Sequence, residues 1–251
     1  MKVLIIAERE VSALLGSVIG WLLITAFGLI SGVVFFLAVL GYSQSSEQLV
    51  VQPYGGFTLE FSEHLLWPYF SFQSLFLLFL LPGVTMRLFS EEVRQRTLEF
   101  LETAPVHTSE IVLGKFVGAM AYTTLLIGLT GWAPILLWLW SSVDPMLLLT
   151  GMAAVWLSSA CIVALGMAAS AATSHQVVAL VLTEAFAFAL LLVTGLEGFD
   201  PTGALHLLAI TPHTEDLARG LLRLSDATYF IMFTLFFLLA THQRLILRRW
   251  V

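Results

Sequence analysis

Few residues in this chain carry chemistry, and one short stretch is unusually rich in them. Only 11% of the 251 residues are charged, yet six of the thirteen from Ser90 to Glu102 (SEEVRQRTLEFLE) are. Plotted at about 100° per residue, Val93, Thr97, Phe100, Leu101 and Ala104 form one stripe of a helix. Glu91, Gln95, Arg96, Glu99 and Glu102 lie opposite, and Leu98 is an apolar knob at the edge of the charged face. Ser90 is placed to N-cap this helix, and Glu91 and Glu92 occupy its first turn, at the positive end of the helix dipole. Pro105 bounds it on the other side. Such a face is either the solvated side of a connector or a docking surface on which charges steer and an apolar anchor holds. Composition does not choose between these.

The other candidates are isolated. Glu184 is the one charge in the 52 residues between Asp144 and Glu197. Burying a carboxylate in a membrane costs about 2.5–3.5 kcal/mol on insertion scales, so Glu184 should face the interior of the protein or a wet cavity. It reads as a gate or pathway contact, or as a protonated carboxyl bonded to a neighbouring Ser or Thr. The six histidines (64, 107, 175, 206, 213, 242) include no pair at the i, i+4 spacing of helical zinc sites, so no metal is expected. Gly114-Lys115 is followed by Phe116, and Ser109 stands where a phosphate-binding loop needs glycine, so no nucleotide site is expected in this chain. A single cysteine, Cys161, excludes an intrachain disulfide. The absence of paired acids or an activated nucleophile argues against an intramembrane enzyme. One buried acid and no inverted repeat argue against a proton-coupled carrier.

The elements that must position these residues follow from hydropathy. Apolar residues make up 59% of the chain and its mean hydropathy is +0.93. Val11–Ser46, His64–Met86, Phe116–Val143 and Ala227–Gln243 contain no Asp, Glu, Lys or Arg. A helix crosses a ~30 Å hydrocarbon core with about 20 residues, so the 52-residue stretch is a hairpin of two spans turning near Ala172–Gln176. The expectation is an all-α membrane protein with six spans, at 18–42, 65–87, 111–140, 146–171, 176–195 and 227–245. One membrane domain is expected to cover 1–251. Glu8, Arg9 and Glu10 break the apolar core of a would-be signal peptide, and 1–16 reads instead as an amphipathic interfacial helix. The third span is long, with Pro134 placed to kink it. Gly16-x-x-x-Gly20 and Gly114-x-x-x-Gly118 read as close-packing devices. Short outer helices are expected within 195–226, with Thr214 as N-cap, Glu215 and Asp216 in the first turn and Gly220 as a stop. With the N-terminus inside, nine basic residues are cytoplasmic, and only Arg219 and Arg223 are outside.

The segment Thr85–Phe116 (TMRLFSEEVRQRTLEFLETAPVHTSEIVLGKF) resembles the signature of type-2 ABC transporter permeases, particularly the gliding-motility-type branch. The shared words are the acids Glu91 and Glu92, the Thr97-Leu98-Glu99 core, Pro105, and Gly114-Lys115 at the third span. The resemblance extends to AEREVSALLGSVIGWL near the N-terminus and to TEDLARGLLRLSDATYF and RRW near the C-terminus. Arg96 stands where the family usually has glycine. The resemblance implies that 90–106 is a cytoplasmic coupling helix seated in a groove of a separate ATPase, with Glu91, Glu92, Arg94, Thr97, Leu98, Glu99, Glu102 and Pro105 as its ATPase-coupling residues. Leu98, Glu99 and Glu102 would contact the ATPase, while Val93, Phe100 and Leu101 seat the helix. ATP and magnesium would belong to the ATPase, and this chain would hold no cofactor. The leading reading is the permease subunit of an ATP-driven exporter in the cell (inner) membrane, paired with a second copy or a related permease. Membrane lipid and an extracytoplasmic accessory protein are further partners, and no nucleic acid is expected. The alternative is a scaffold that passes ATPase-driven motion to an extracytoplasmic partner without moving substrate.

Overall fold

The structure, a computed structural model, describes residues 2–51, 62–95, 107–140, 144–196, 209–221 and 223–248. Among these there is no strand. The helices are α1 (Lys2–Leu15), α2 (Val18–Val51), α3 (Trp67–Thr85, preceded by a π-helical turn at Ser62–Leu66), α4 (Ser90–Arg94) and α5 (Thr108–Thr130). They continue as α6 (Trp132–Trp140), α7 (Pro145–Ala172), α8 (Gln176–Leu196), α9 (Ile210–Ala218) and α10 (Leu224–Arg248). Six stretches are long and apolar enough to cross a membrane: Val18–Ser46, His64–Arg94, Thr108–Trp140, Pro145–Ala172, Gln176–Val193 and Leu224–Arg248. These are the six spans expected from charge-free runs, each close to its anticipated place.

The spans divide into a core and a periphery. Over an apolar stretch of 18 residues in each, between 56% and 61% of the second, third and fourth spans is buried, against 11% to 22% of the first, fifth and sixth. α7 is the hub: it packs on α3, α5, α8, α9 and α10. Its small residues, Ala154, Ser158, Ala160, Cys161, Ala164 and Gly166 among them, are buried along its length and let the neighbouring helices approach closely. α2 by contrast shows Trp21, Leu22, Leu29, Phe36 and Leu37 on its outer surface. An apolar outer face is what a lipid-facing span requires.

α1 lies along α5, and glycine makes the contact possible. A Cβ on Gly114 would sit 2.7 Å from the Ile6 Cβ, and one on Gly118 2.8 Å from the Glu10 Cβ. The pair read as a packing device is therefore the seat of the N-terminal helix. α1 ends in a tight turn. Ser17 Oγ donates to the Leu14 carbonyl at 2.8 Å and accepts from Gly20 N at 3.0 Å. A Cβ on Gly20 would collide with that same carbonyl.

The third span breaks where proline predicts, with a detail that periodicity does not carry. α5 ends at Thr130 and α6 begins at Trp132, two residues ahead of Pro134. Pro134 has no N–H to give to the carbonyl four residues earlier, that of Thr130. Tyr69 on α3 supplies the missing donor, its Oη 3.1 Å from Thr130 O. Gln73 Nε2 completes the group, donating to Tyr69 Oη at 2.9 Å and Thr130 Oγ1 at 2.8 Å. All three side chains are buried.

Near the other end of the bundle α9 is tucked against α3, α7, α8 and α10. The helix expected to begin at Thr214 starts a turn earlier, at Ile210, with Ala209 as N-cap and no side-chain cap. Thr214 is buried mid-helix and donates to the Ile210 carbonyl at 2.8 Å, so it does not cap. Glu215 and Asp216 accordingly lie beyond the first turn. Gly220, at φ +86°, ends the segment as expected. His213 Nδ1 meets Asp226 Oδ1 at 2.7 Å, and its ring stacks on Tyr229, which fixes α9 to the start of α10. Residues 197–208 lie outside the described part.

The proline–tyrosine relation is testable by a double-mutant cycle read by thermal unfolding in detergent. Tyr69→Phe is expected to cost about 1–3 kcal/mol, because it strands a buried carbonyl. In a Pro134→Ala background, where the restored backbone N–H can reach Thr130 O, most of that loss should disappear. An equal loss in both backgrounds would refute the assignment.

Candidate functional site

The site is built at the end of the bundle where α3 gives way to α4. α3 runs on through a turn at 86–89, in which Met86 N donates to Pro82 O and Leu88 N to Thr85 O. α4 follows as a single turn and a half. Its cap differs from the expectation. Phe89 is the N-cap and offers no side-chain hydrogen bond, while Ser90 is already helical and its hydroxyl donates back to the Met86 carbonyl. The capping oxygen comes from another span. Ser170 Oγ on α7 accepts from Phe89 N at 3.1 Å and Ser90 N at 3.0 Å, and donates to Met86 O at 2.9 Å. Two orphan amides of the helix start are thus satisfied through one hydroxyl.

Within α4 the acids part company. Glu91 lies on the outer side, accepting from Gln95 Nε2 at 3.0 Å, and Arg94 is exposed. Glu92 turns inward, its side chain 16% exposed, and meets Lys115. Lys115, on the first turns of α5, is 2% exposed. Its ammonium has three N–H donors and three acceptors: Glu10 Oε1 at 2.7 Å, Leu88 O at 2.7 Å and Glu92 Oε1 at 2.8 Å. The Phe89 ring lies 5.2 Å from the same nitrogen. One buried cation therefore holds α1, the 86–89 turn, α4 and α5 together. Around it, Arg87 Nη2 donates to Ser17 Oγ at 3.0 Å, tying the turn to the α1–α2 corner. Tyr122 Oη on α5 donates to Gly20 O at 2.6 Å. Val93 is partly buried and packs against the hydrophobic core.

A fixed cation with two carboxylates and a backbone carbonyl is a mechanical joint, with no vacant coordination and no nucleophile. Its chemistry suits the transmission of force. What α4 continues into is the stretch 96–106, which lies outside the described residues together with Arg96, Thr97, Leu98, Glu99, Phe100, Leu101, Glu102 and Pro105. α5 then opens at Thr108, where Glu110 Oε2 accepts from His107 N at 2.9 Å. Glu184 is set apart from this site, on the fifth span. It is half-buried, and its Oε2 is enclosed without a hydrogen-bond partner among the described residues.

Sequence reasoning reached Glu92 and Lys115 separately and missed their union. Glu10 counted only as a charge that interrupts an apolar run. The available signal was Lys115 itself, between Gly114 and Gly118. A lysine placed where a second helix must approach closely requires an acid on that helix. Nothing in the sequence marks Ser170.

The joint should fail asymmetrically. Lys115→Met leaves two half-buried carboxylates facing each other and is expected to cost about 3–5 kcal/mol. Glu10→Gln leaves Lys115 with Glu92 and Leu88 O and should cost less than half of that. Thermal unfolding in detergent, with proteolysis of α1 as a local probe, measures both. The reverse order would remove Lys115 from the centre of the joint.

A family model described as ABC-2 family transporter protein matches residues 4–242 of the chain. No curated protein matches it significantly.

Proposed function

This chain belongs to the ABC-2 transporter family, and we propose that it is the permease subunit of an exporter driven by a separate ATPase. That family is a transmembrane component of ABC transporters, and six apolar helices make this chain a multi-pass membrane protein. The observation that carries the proposal is the Lys115 joint. It anchors the beginning of the charged helix to α1 and α5, and the Ser170 cap adds α7. A connector that merely bridges two spans needs no such anchorage; a lever does.

In this reading 90–106 is the coupling helix, and the α4 end of the bundle faces the cytoplasm, where nine of eleven basic residues then lie. Glu91 and Arg94 on the outer side, with Thr97, Leu98, Glu99, Glu102 and Pro105 beyond them, meet the ATPase. Glu92 works from inside, holding the helix to Lys115. The apolar surfaces of α2, α8 and α10 are left for lipid and for a second permease copy. ATP and magnesium belong to the ATPase, an extracytoplasmic accessory protein stands at the α9 end, and the membrane is the inner one. The order of Thr97-Leu98-Glu99, Pro105 and Gly114-Lys115 supports the gliding-motility-type branch. Glu184 is assigned to the pathway, because a carboxyl in a span, with one oxygen enclosed and unpartnered among the described residues, is expensive to keep for packing alone.

Leu98→Asp is the direct test. An acid replacing an apolar anchor is expected to cost at least about 2 kcal/mol of binding, more than tenfold in affinity for the ATPase, with membrane insertion unchanged. Copurification with the ATPase and the hydrolysis rate of the complex measure it, and undiminished association would defeat the coupling-helix assignment. Glu184→Gln should leave assembly intact and change the hydrolysis rate of the assembled complex. A rate identical to the parent at every pH would make Glu184 structural.

A further inference from the structure

A cavity of about 50 Å³ lies between α3, α7, α8 and α9, toward the end of the bundle opposite Lys115. Two serines one turn apart on α3, Ser71 and Ser74, line it. Their Oγ atoms are sealed from solvent and have no hydrogen-bond partner among the described residues. Hydroxyls in apolar helices ordinarily donate to a carbonyl one turn back. Ser158, Thr214 and Thr241 do so here. A buried hydroxyl without a partner is unfavourable. Two on one wall of one cavity indicate that the cavity's occupant completes them.

The rest of the lining defines the occupant's chemistry. Among the described residues, Glu215 on α9 is the one charged side chain in the wall. The cation beside it, Arg219, stands 3.9 Å away, beyond hydrogen-bond distance, with its guanidinium 4.8 Å from the Trp67 ring centre. The carboxylate keeps acceptor capacity for a ligand. Leu78 and Leu191 supply an apolar wall, and Leu75, 41% exposed, marks where the cavity reaches the outer surface of the bundle. Negative charge, hydroxyl oxygens and an apolar exit fit an ammonium group on an alkyl chain. An anion would find no cation among the described lining residues, where Glu215 is the charged one. A quaternary ammonium has no N–H for the serines, and an alcohol brings no charge to a carboxylate that is 36% exposed and meets Arg219 only at 3.9 Å. The space accommodates about three to five waters at roughly 10–15 Å³ each, or one methylene-ammonium head.

We propose that this cavity is a binding site for the primary-ammonium head of an amphiphile, held by Glu215 and the Ser71 and Ser74 hydroxyls with its chain leaving past Leu75. The head can come from a bilayer aminophospholipid or from a diffusible alkylamine.

The test uses the full chain in phosphatidylcholine nanodiscs, titrated with dodecylamine, dodecyltrimethylammonium or dodecanol and read by native mass spectrometry. Dodecylamine should bind roughly tenfold more tightly than either analogue, the worth of one charge-assisted hydrogen bond. Glu215→Gln, and separately the double variant Ser71→Ala with Ser74→Ala, should each abolish most of that preference. Both changes are isosteric or smaller, and the serine pair decides alone if Glu215→Gln proves unstable. Equal binding of the three amphiphiles, or variants that bind like the parent, would overturn the proposal. Replacing part of the lipid by phosphatidylethanolamine separates the sources. Weaker apparent dodecylamine binding identifies a resident lipid and unchanged binding a diffusible amine, and either keeps the site. No arm involves the ATPase, so failure here leaves the permease reading standing.

Discussion

An ammonium group withdrawn from water is the constraint on which the α4 end of this protein depends. Desolvating Lys115 costs several kcal/mol, and only close, complete pairing offsets it. The pairing is complete: three N–H donors, three acceptors, all within 2.8 Å. Those acceptors come from α1, from the turn after α3 and from α4, and the lysine itself from α5. If any one moved by a few ångströms, the ammonium would lose one of its three acceptors in an apolar setting. Four segments distant in sequence therefore share one geometry, and the glycines at 114 and 118 are what let α1 come near enough to take part.

The same demand, applied to backbone groups, explains the bends. In a membrane a freed carbonyl or amide has no water to turn to, so a break in a helix must be answered by another helix. Pro134 frees the Thr130 carbonyl, and Tyr69 answers from α3. The start of α4 exposes two amides, and Ser170 answers from α7. In both cases the irregular backbone is stitched to the neighbour against which it rests. Irregularity in this bundle is thus a source of inter-helix cohesion.

What could be read from the sequence follows the range of the forces involved. Spans were legible because a hydrocarbon core imposes a minimum run of apolar residues, a local rule that charge-free stretches satisfy visibly. Pro134 was legible as a break, since its effect acts within one turn. Thr214 misled, because a capping side chain is a weak local preference. Ile210, His213 and Leu217 gain more by burial against neighbouring helices, which draws the helix start back a turn. Ser90 misled for a like reason, its place as cap taken by a hydroxyl 80 residues away. The Lys115 joint joins residues 23, 27 and 105 positions apart, and no periodicity reports such pairings. Only the glycine spacing around Lys115 hinted that a second helix would arrive there.

The division of the bundle gives the joint its mechanical meaning. α3, α5 and α7 form the buried centre, and the polar contacts that fix α4 reach one of these or α1. α2 and α10, largely exposed, attach to that centre without entering the ion cluster or the Ser170 cap. The short polar contacts of α4 and the turn before it therefore run to α1, α5 and α7, and α2 is tied to this unit at its first turn, where Tyr122 Oη donates to Gly20 O. Apolar surfaces slide at little cost as long as contact is kept, whereas a buried ion cluster does not. The polar contacts thus bind α1, α4, α5 and α7 into one unit, and α2, beyond its first turn, and α10 lie against it without such ties to α4 among the described residues.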